Sequence, residues 1–257
     1  MHTGAFLGLG LISWFALMAS AEFYCARPSP RPERSSDQRL FTNFAFGAVT
    51  FAVGALVPIS KLGASAAAQS LGAGITPRLG LSWLLVLALL MLIDSFAVYW
   101  VHRLMHRTPL LWRVHRVHHS DESVDVSTTL RNHPLELFVS LPVSATVVLV
   151  VGAPSSVIIA AQTLAFAATI WQHADIDLPT RVDRAIALVL VTPRVHRLHH
   201  NPSRETHDSN YGELLTLWDR LFDTFNAPGS RLPVGLDHQV ASPDRLLQQI
   251  WSPVYSA

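Results

Sequence analysis

Apolar residues in this chain fall in long uncharged runs separated by short polar stretches rich in arginine. No Asp, Glu, Lys or Arg occurs from residue 3 to 21, from 40 to 60 or from 79 to 93, and the last run continues apolar beyond Asp94 to Val101. A fourth run, 137–171, carries no charge at all. A helix crosses a bilayer in roughly 17–25 apolar residues. The first three runs therefore predict single crossings at about 4–21, 41–60 and 79–101. The fourth is long enough for two short helices joined at Gly152-Ala153-Pro154, where Gly and Pro favour a turn. Between the runs lie a basic loop over 26–39 with Arg27, Arg31, Arg34 and Arg39, a Gly/Ala/Ser link over 62–77, a polar stretch over 102–134 and a soluble C-terminal third. The predicted fold is all-α: an integral membrane helical bundle of three crossings plus a helical hairpin, with a histidine-rich helical cap. It reads as one domain over 1–257, with an N-terminal transmembrane part (1–78), a catalytic core (79–226) and a C-terminal tail (227–257).

Composition agrees with a membrane protein, since only 14% of residues are charged against about 25% in soluble domains. Ala19-Ser20-Ala21 resembles a signal-peptidase site, but no Lys or Arg precedes it, so an uncleaved first helix is expected. Cys25 is the single cysteine, which excludes an intrachain disulfide and a thiolate metal site. Orientation follows from arginines: 102–134 carries five and 22–40 carries four, both on one side of the predicted topology. By the positive-inside rule that side is cytoplasmic. The net charge of +1 says little, and no nucleic acid partner is expected.

Eight histidines then change the picture. They form three groups: His102/His106 (HRLMH), His115/His118/His119 (HRVHH) and His196/His199/His200 (HRLHH). Residues three and four apart share a helix face, so each group can aim two or three imidazoles at one point. Imidazole suits iron and zinc. One ion needs only three or four ligands, so eight converging histidines suit two. Scattered core or surface histidines would explain one HxxxH but not three clustered motifs. The three groups can meet only if 137–171 enters the membrane and returns to the same face; a single crossing would separate the third group from the first two.

Other residues are weighed beside these. His173 in Trp171-Gln172-His173 emerges where the hairpin returns and is expected to join the ligands. His133, before Pro134, is either a ligand or a cap on the hairpin. His207 is a further ligand or a loop residue. Asp94 inside the third crossing either orients a ligand imidazole or pairs with a neighbouring helix. Tyr99 is expected at the membrane interface, and Arg113 and Arg116 are expected to meet lipid phosphates or solvent. His2 and His238 have no cluster.

Two irons can share the electrons needed to split O2 and leave an oxidant able to attack an unactivated C–H bond. At a membrane face, such a centre meets lipid chains drawn from the bilayer. The sequence holds neither CxxCH nor GxGxxG, so the electrons are expected from a separate donor.

The motifs resemble the fatty acid hydroxylase superfamily, also called the sterol desaturase family, over most of residues 88–226. Asp94–Arg103 (DSFAVYWVHR) looks like the family's opening D…YWxHRxxH. Leu111–Ser120 is similar to its LWxxHxxHHS segment, and Thr129–Glu136 (TLRNHPLE) to its LRxHPxE element. Thr192–His200, Asn210-Tyr211-Gly212 and Trp218–Phe222 look like its closing signature. The resemblance implies a membrane di-iron oxygenase acting on a lipid such as a sterol or fatty acyl chain, using O2 as co-substrate. It implies the eight box histidines as ligands, supports His173, and suggests a cytochrome b5-like or ferredoxin/reductase donor. Two departures stand out. Asp223 replaces the Gly of WDRLFGT, and Asp175 stands where an HxN motif has Asn, leaving its role open. Two other classes remain: a metal-dependent hydrolase on the same scaffold, which would need fewer histidines, and a metal transporter or sensor. The latter would place ligands near the bilayer midplane, whereas these lie at helix ends and beyond.

Overall fold

The computed structural model of the protein describes residues 2–25, 36–227 and 232–255. Arg27, Arg31 and Arg34 of the expected basic loop lie outside them. In order along the chain the helices are α1 (His2–Cys25), α2 (Ser36–Leu56), α3 (Lys61–Ser70), α4 (Thr76–Leu79), α5 (Trp83–Arg107), α6 (Pro109–His119), α7 (Leu137–Val151), α8 (Ser155–His173), α9 (Thr180–Ile186), α10 (Pro193–His199), α11 (Arg204–His207), α12 (Leu217–Leu221) and α13 (Leu246–Trp251). Short 3-10 turns occupy Val126–Leu130 and Pro134–Glu136. Among the described residues there is no β-strand, only an isolated bridge between Leu190 and Leu215.

Among the described residues, five stretches are long and apolar enough to cross a membrane: Leu7–Cys25, Asp37–Ser70, Trp83–Arg107, Pro134–Val151 and Ser155–His173. At most 28% of the most apolar window in any of them is buried within the protein. Their outward faces carry Leu9, Phe51 and Leu84, which are 61%, 81% and 71% exposed. A soluble protein rarely leaves so much contiguous apolar surface open. The protein is multi-pass.

The hairpin turns where Gly and Pro predict it. Gly152 ends α7 in the left-handed region at φ 74°, and Pro154 precedes α8. This turn is crowded: a Cβ on Gly152 would sit 2.8 Å from the Ala73 carbonyl oxygen and 2.9 Å from the Gly74 Cα. Ala64, Val86, Leu90, Val148, Val151 and Ile158 pack into one apolar core beneath it.

Two boundaries differ from expectation. The 62–77 segment is not a plain link, because α3 folds there and packs on α7 and α8. Its small residues permit close helix approach: Ala64, Ser65 and Ala68 are buried, and Ser65 Oγ donates to the Ala153 carbonyl at 2.7 Å. The second span is thereby one broken helix, interrupted over 57–60, where Pro58 cannot donate a helical hydrogen bond and Ser60 caps α3. The third crossing starts at Trp83 rather than 79, because Gly80 adopts φ 59°. It continues helical through His102 and His106 to Arg107.

Candidate metal centre

Helical periodicity does what the spacing predicts. α5 carries His102 and His106, α6 carries His115, His118 and His119, α8 ends on His173, and α10 delivers His196 and His199 with His200 capping it. All nine are buried. They fall into two groups. His102, His106, His115, His119 and His199 form one, and His118, His173, His196 and His200 form the other; within each, ring nitrogens lie within 4.8 Å of one another. The groups adjoin, with the His119 and His200 rings stacked at 4.6 Å.

Hydrogen bonding aims the rings. His102 Nδ1–H donates to the Tyr211 carbonyl at 2.8 Å, His199 Nδ1–H to Ser209 at 2.8 Å, His118 Nδ1–H to Arg131 at 3.1 Å and His173 Nδ1–H to Thr169 at 2.8 Å. His115 Nδ1 lies 3.2 Å from Glu136 Oε2. Such outward bonds fix the tautomer and leave Nε2 as a bare lone pair. Yet these lone pairs face each other: His102 and His115 Nε2 are 3.0 Å apart, and His118 and His173 Nε2 are 3.1 Å apart. Two acceptors so close in a buried site repel unless a cation sits between them. Ligand atoms about 2.1 Å from one metal ion lie about 3.0 Å apart when they subtend a right angle at it, as neighbours in an octahedral shell do. In addition, both ring nitrogens of His106 and His119, and Nε2 of His199, are buried without a partner. An unmade bond of that kind costs about 1–3 kcal/mol, which ligation removes at one nitrogen of each ring. The residues fit two metal ions.

Charge agrees. Burial first, then the neighbouring imidazoles, keeps His118, His119, His196, His199 and His200 well below the usual histidine pKa. They are neutral near physiological pH, the form that binds metal.

These clusters border a cavity of about 330 Å³, lined by His102, His115, His118 and His173 beside Val98, Met105, Leu141 and Phe166. Lys61, Phe166 and Thr169 also line an open groove with Leu11 and Ile159, between α1 and α8 on the apolar flank.

A profile of the family described as fatty acid hydroxylase matches residues 87–224, more than half of the chain. The chain belongs to the fatty acid hydroxylase family. Among relatives, it is 32% identical over 146 residues to alkylglycerol monooxygenase of Homo sapiens, covering 57% of this chain and 32% of that one. It is 33% identical over 156 residues to the Danio rerio alkylglycerol monooxygenase, 60% of this chain and 32% of the relative. With the ornithine lipid hydroxylase OlsE of Rhizobium tropici it shares 31% over 153 residues, 59% of this chain and 45% of that one. The matched stretch thus spans less than half of each relative. No solved structure gives a significant match.

In this fatty acid hydroxylase fold the remaining sequence candidates take other places. His133 stands outside both groups and caps the Pro134–Glu136 turn: Nδ1 accepts from Leu135 N at 3.2 Å, and Nε2 donates to Ile250 O at 3.1 Å. His207 joins His106 and Asp208 in a flanking group and stacks on Trp112 at 5.1 Å. Asp175 accepts from Arg197 at 2.7 Å, which steadies α10 between His196 and His199. Asp94 pairs with Lys61 at 2.6 Å, the neighbouring-helix reading rather than the imidazole one. Tyr99 is fully buried, not interfacial, because the C-terminal segment folds over α5 and brings Thr224 Oγ1 within 2.9 Å of its hydroxyl. Arg116 is likewise buried and donates to the carbonyls of Ser252 and Tyr255 at 2.7 and 2.8 Å.

Sequence reasoning passed over three positioning residues. Glu136 faces His115, and Asp208 Oδ1 lies 3.5 Å from His106 Nδ1. Asp219 accepts from the backbone N–H of Tyr211 and Gly212, both at 2.8 Å, and so holds the carbonyl that orients His102. Their one signal is proximity to a histidine or a Tyr-Gly pair within a motif. Removing a partner of this kind typically costs about 10–100-fold in metal affinity or activity. Glu136→Gln is expected to lower metal affinity by that factor in a chelator competition, with thermal stability nearly unchanged.

Proposed function

We propose that the protein is a membrane-bound di-iron oxygenase that hydroxylates a C–H bond of a lipid. The observation that carries this is the pair of adjoining all-histidine groups whose Nε2 atoms face one another at about 3 Å on the wall of an apolar cavity. In this reading His102, His106, His115, His119 and His199 hold one iron, and His118, His173, His196 and His200 hold the other. The irons, when bound, supply O2 activation. The chain supplies the rest. Nδ1 bonds to main-chain carbonyls fix ligand orientation, the cavity wall of Val98, Met105, Leu141 and Phe166 keeps water from the reacting carbon, and the groove beside α8 admits the chain from the bilayer. The relatives' names, alkylglycerol monooxygenase and ornithine lipid hydroxylase, support a lipid substrate and favour hydroxylation over desaturation. Hydroxylation converts R–H and O2, with two electrons and two protons, into R–OH and water. The electrons come from a separate cytochrome b5-like or ferredoxin/reductase donor on the cytoplasmic face, where we place the histidine groups.

A hydrolase with a single metal ion uses about three protein ligands and leaves most of these histidines unexplained. The ligands' position at helix ends argues against transport. The test is incubation of the iron-loaded protein, a reductase system and membrane lipid under ¹⁸O₂. The expected result is a lipid product heavier by one ¹⁸O atom. An unlabelled product, which takes up label only when the run is repeated in H₂¹⁸O, would favour the hydrolase.

A further inference from the structure

The cavity beside the histidines holds an excess of hydrogen-bond acceptors. Lys61, the chain's only lysine, stands inside the broken second span, where charge is costly and usually functional. It is engaged by Asp94 Oδ2 at 2.6 Å, while Asp94 Oδ1 is buried with no donor. Gln172 is 2% exposed, and its Oε1 also lacks a donor. Glu213 opens onto the main cavity and onto a smaller one that Lys61 and Asp94 share.

Counting formal charges, Lys61 is outweighed by Asp94, Glu213 and the nearby Glu136. Such a wall repels a carboxylate or phosphate. It is suited to a group that brings its own N–H or O–H. We propose that the cavity takes a lipid whose polar group donates hydrogen bonds, a hydroxyl or an ammonium, and that Glu213 and Gln172 on its wall receive it while Lys61 and Asp94 stay paired beside them. This rests on the lipid-hydroxylase reading of the same cavity, and it adds the class of polar group. The apolar wall alone would bind a plain alkane as well as an alcohol; the acceptors make the difference.

The test is equilibrium binding, which needs no turnover. Radiolabelled cetyl alcohol is bound to the purified, iron-loaded protein in nanodiscs and competed with cetylamine, palmitate or hexadecane. Cetyl alcohol and cetylamine are expected to bind, with palmitate and hexadecane weaker by about tenfold or more, the scale of one hydrogen bond to a charged group. Glu213→Leu is expected to weaken the alcohol and the amine about tenfold, leaving hexadecane binding and metal content unchanged. Glu213→Gln, which keeps an acceptor but loses the charge, is expected to weaken the amine more than the alcohol. Palmitate or hexadecane competing as well as cetyl alcohol would overturn the proposal, as would unaltered alcohol and amine binding in Glu213→Leu. Failure of the oxygenase reading shows separately, as absent ¹⁸O incorporation in a preparation that still discriminates among the four lipids.

Discussion

Replacing His118 or His199 with Ala is expected to remove about one metal ion per chain and to reduce lipid hydroxylation by more than about a hundredfold. The magnitude follows from a lower bound: loss of a residue that merely orients a ligand already costs about 10–100-fold. Each substitution strikes a different group, since His118 belongs with His173, His196 and His200, and His199 with His102, His106, His115 and His119. Folding should survive. Deleting His118 removes one of two facing Nε2 atoms, deleting His199 removes a buried Nε2 that has no partner, and each gives up only one hydrogen bond, to Arg131 O and Ser209 O. Metal analysis beside a thermal melt separates the two effects. Activity lost with both metals retained and the melt unchanged would show that these histidines are not ligands.

The second large effect is on stability. Arg131 is fully buried. Its guanidinium donates to Val117 O at 2.9 Å, Asn43 Oδ1 at 2.9 Å, Ser120 Oγ at 2.8 Å and Pro243 O at 2.6 Å. It thereby ties α2, α6 and the C-terminal segment together behind the metal-binding face. Asp121 beside it is buried too. Burial would raise its pKa, but Arg39 and Arg131 outweigh that and hold it at about 2. Arg131→Met leaves these acceptors without donors and Asp121 with one cation fewer. Breaking a buried charged network by removing one partner costs about 3–5 kcal/mol, a large part of a typical total of 5–15 kcal/mol. The expected outcome is little or no monodisperse protein in detergent. Arg131→Lys, which keeps the charge but not the planar fork, should fall between. A melt unchanged in Arg131→Met would show that the network contributes little.

What the sequence made legible was local. The three histidine boxes could be read because helical spacing alone puts each group on one face. The Gly152-Ala153-Pro154 turn could be read because those residues carry their own backbone preference, and the need for all histidines to share a side demanded it. His173 was found from its place at the end of that hairpin. Long-range closure was not legible. The burial of Tyr99 and Arg116 depends on residues more than a hundred positions away folding back over α5 and α6. The pairing of Asp94 with Lys61 depends on the break at 57–60, which an apolar count reads as the end of a crossing. Asp219 acts on His102 only through the Tyr211 carbonyl. No spacing rule records such a contact.

The central claim is a two-metal histidine centre, and metal content of anaerobically purified wild-type protein tests it most directly. The account predicts two irons per folded chain; one metal ion or none, in protein shown to be folded and monodisperse, would contradict it.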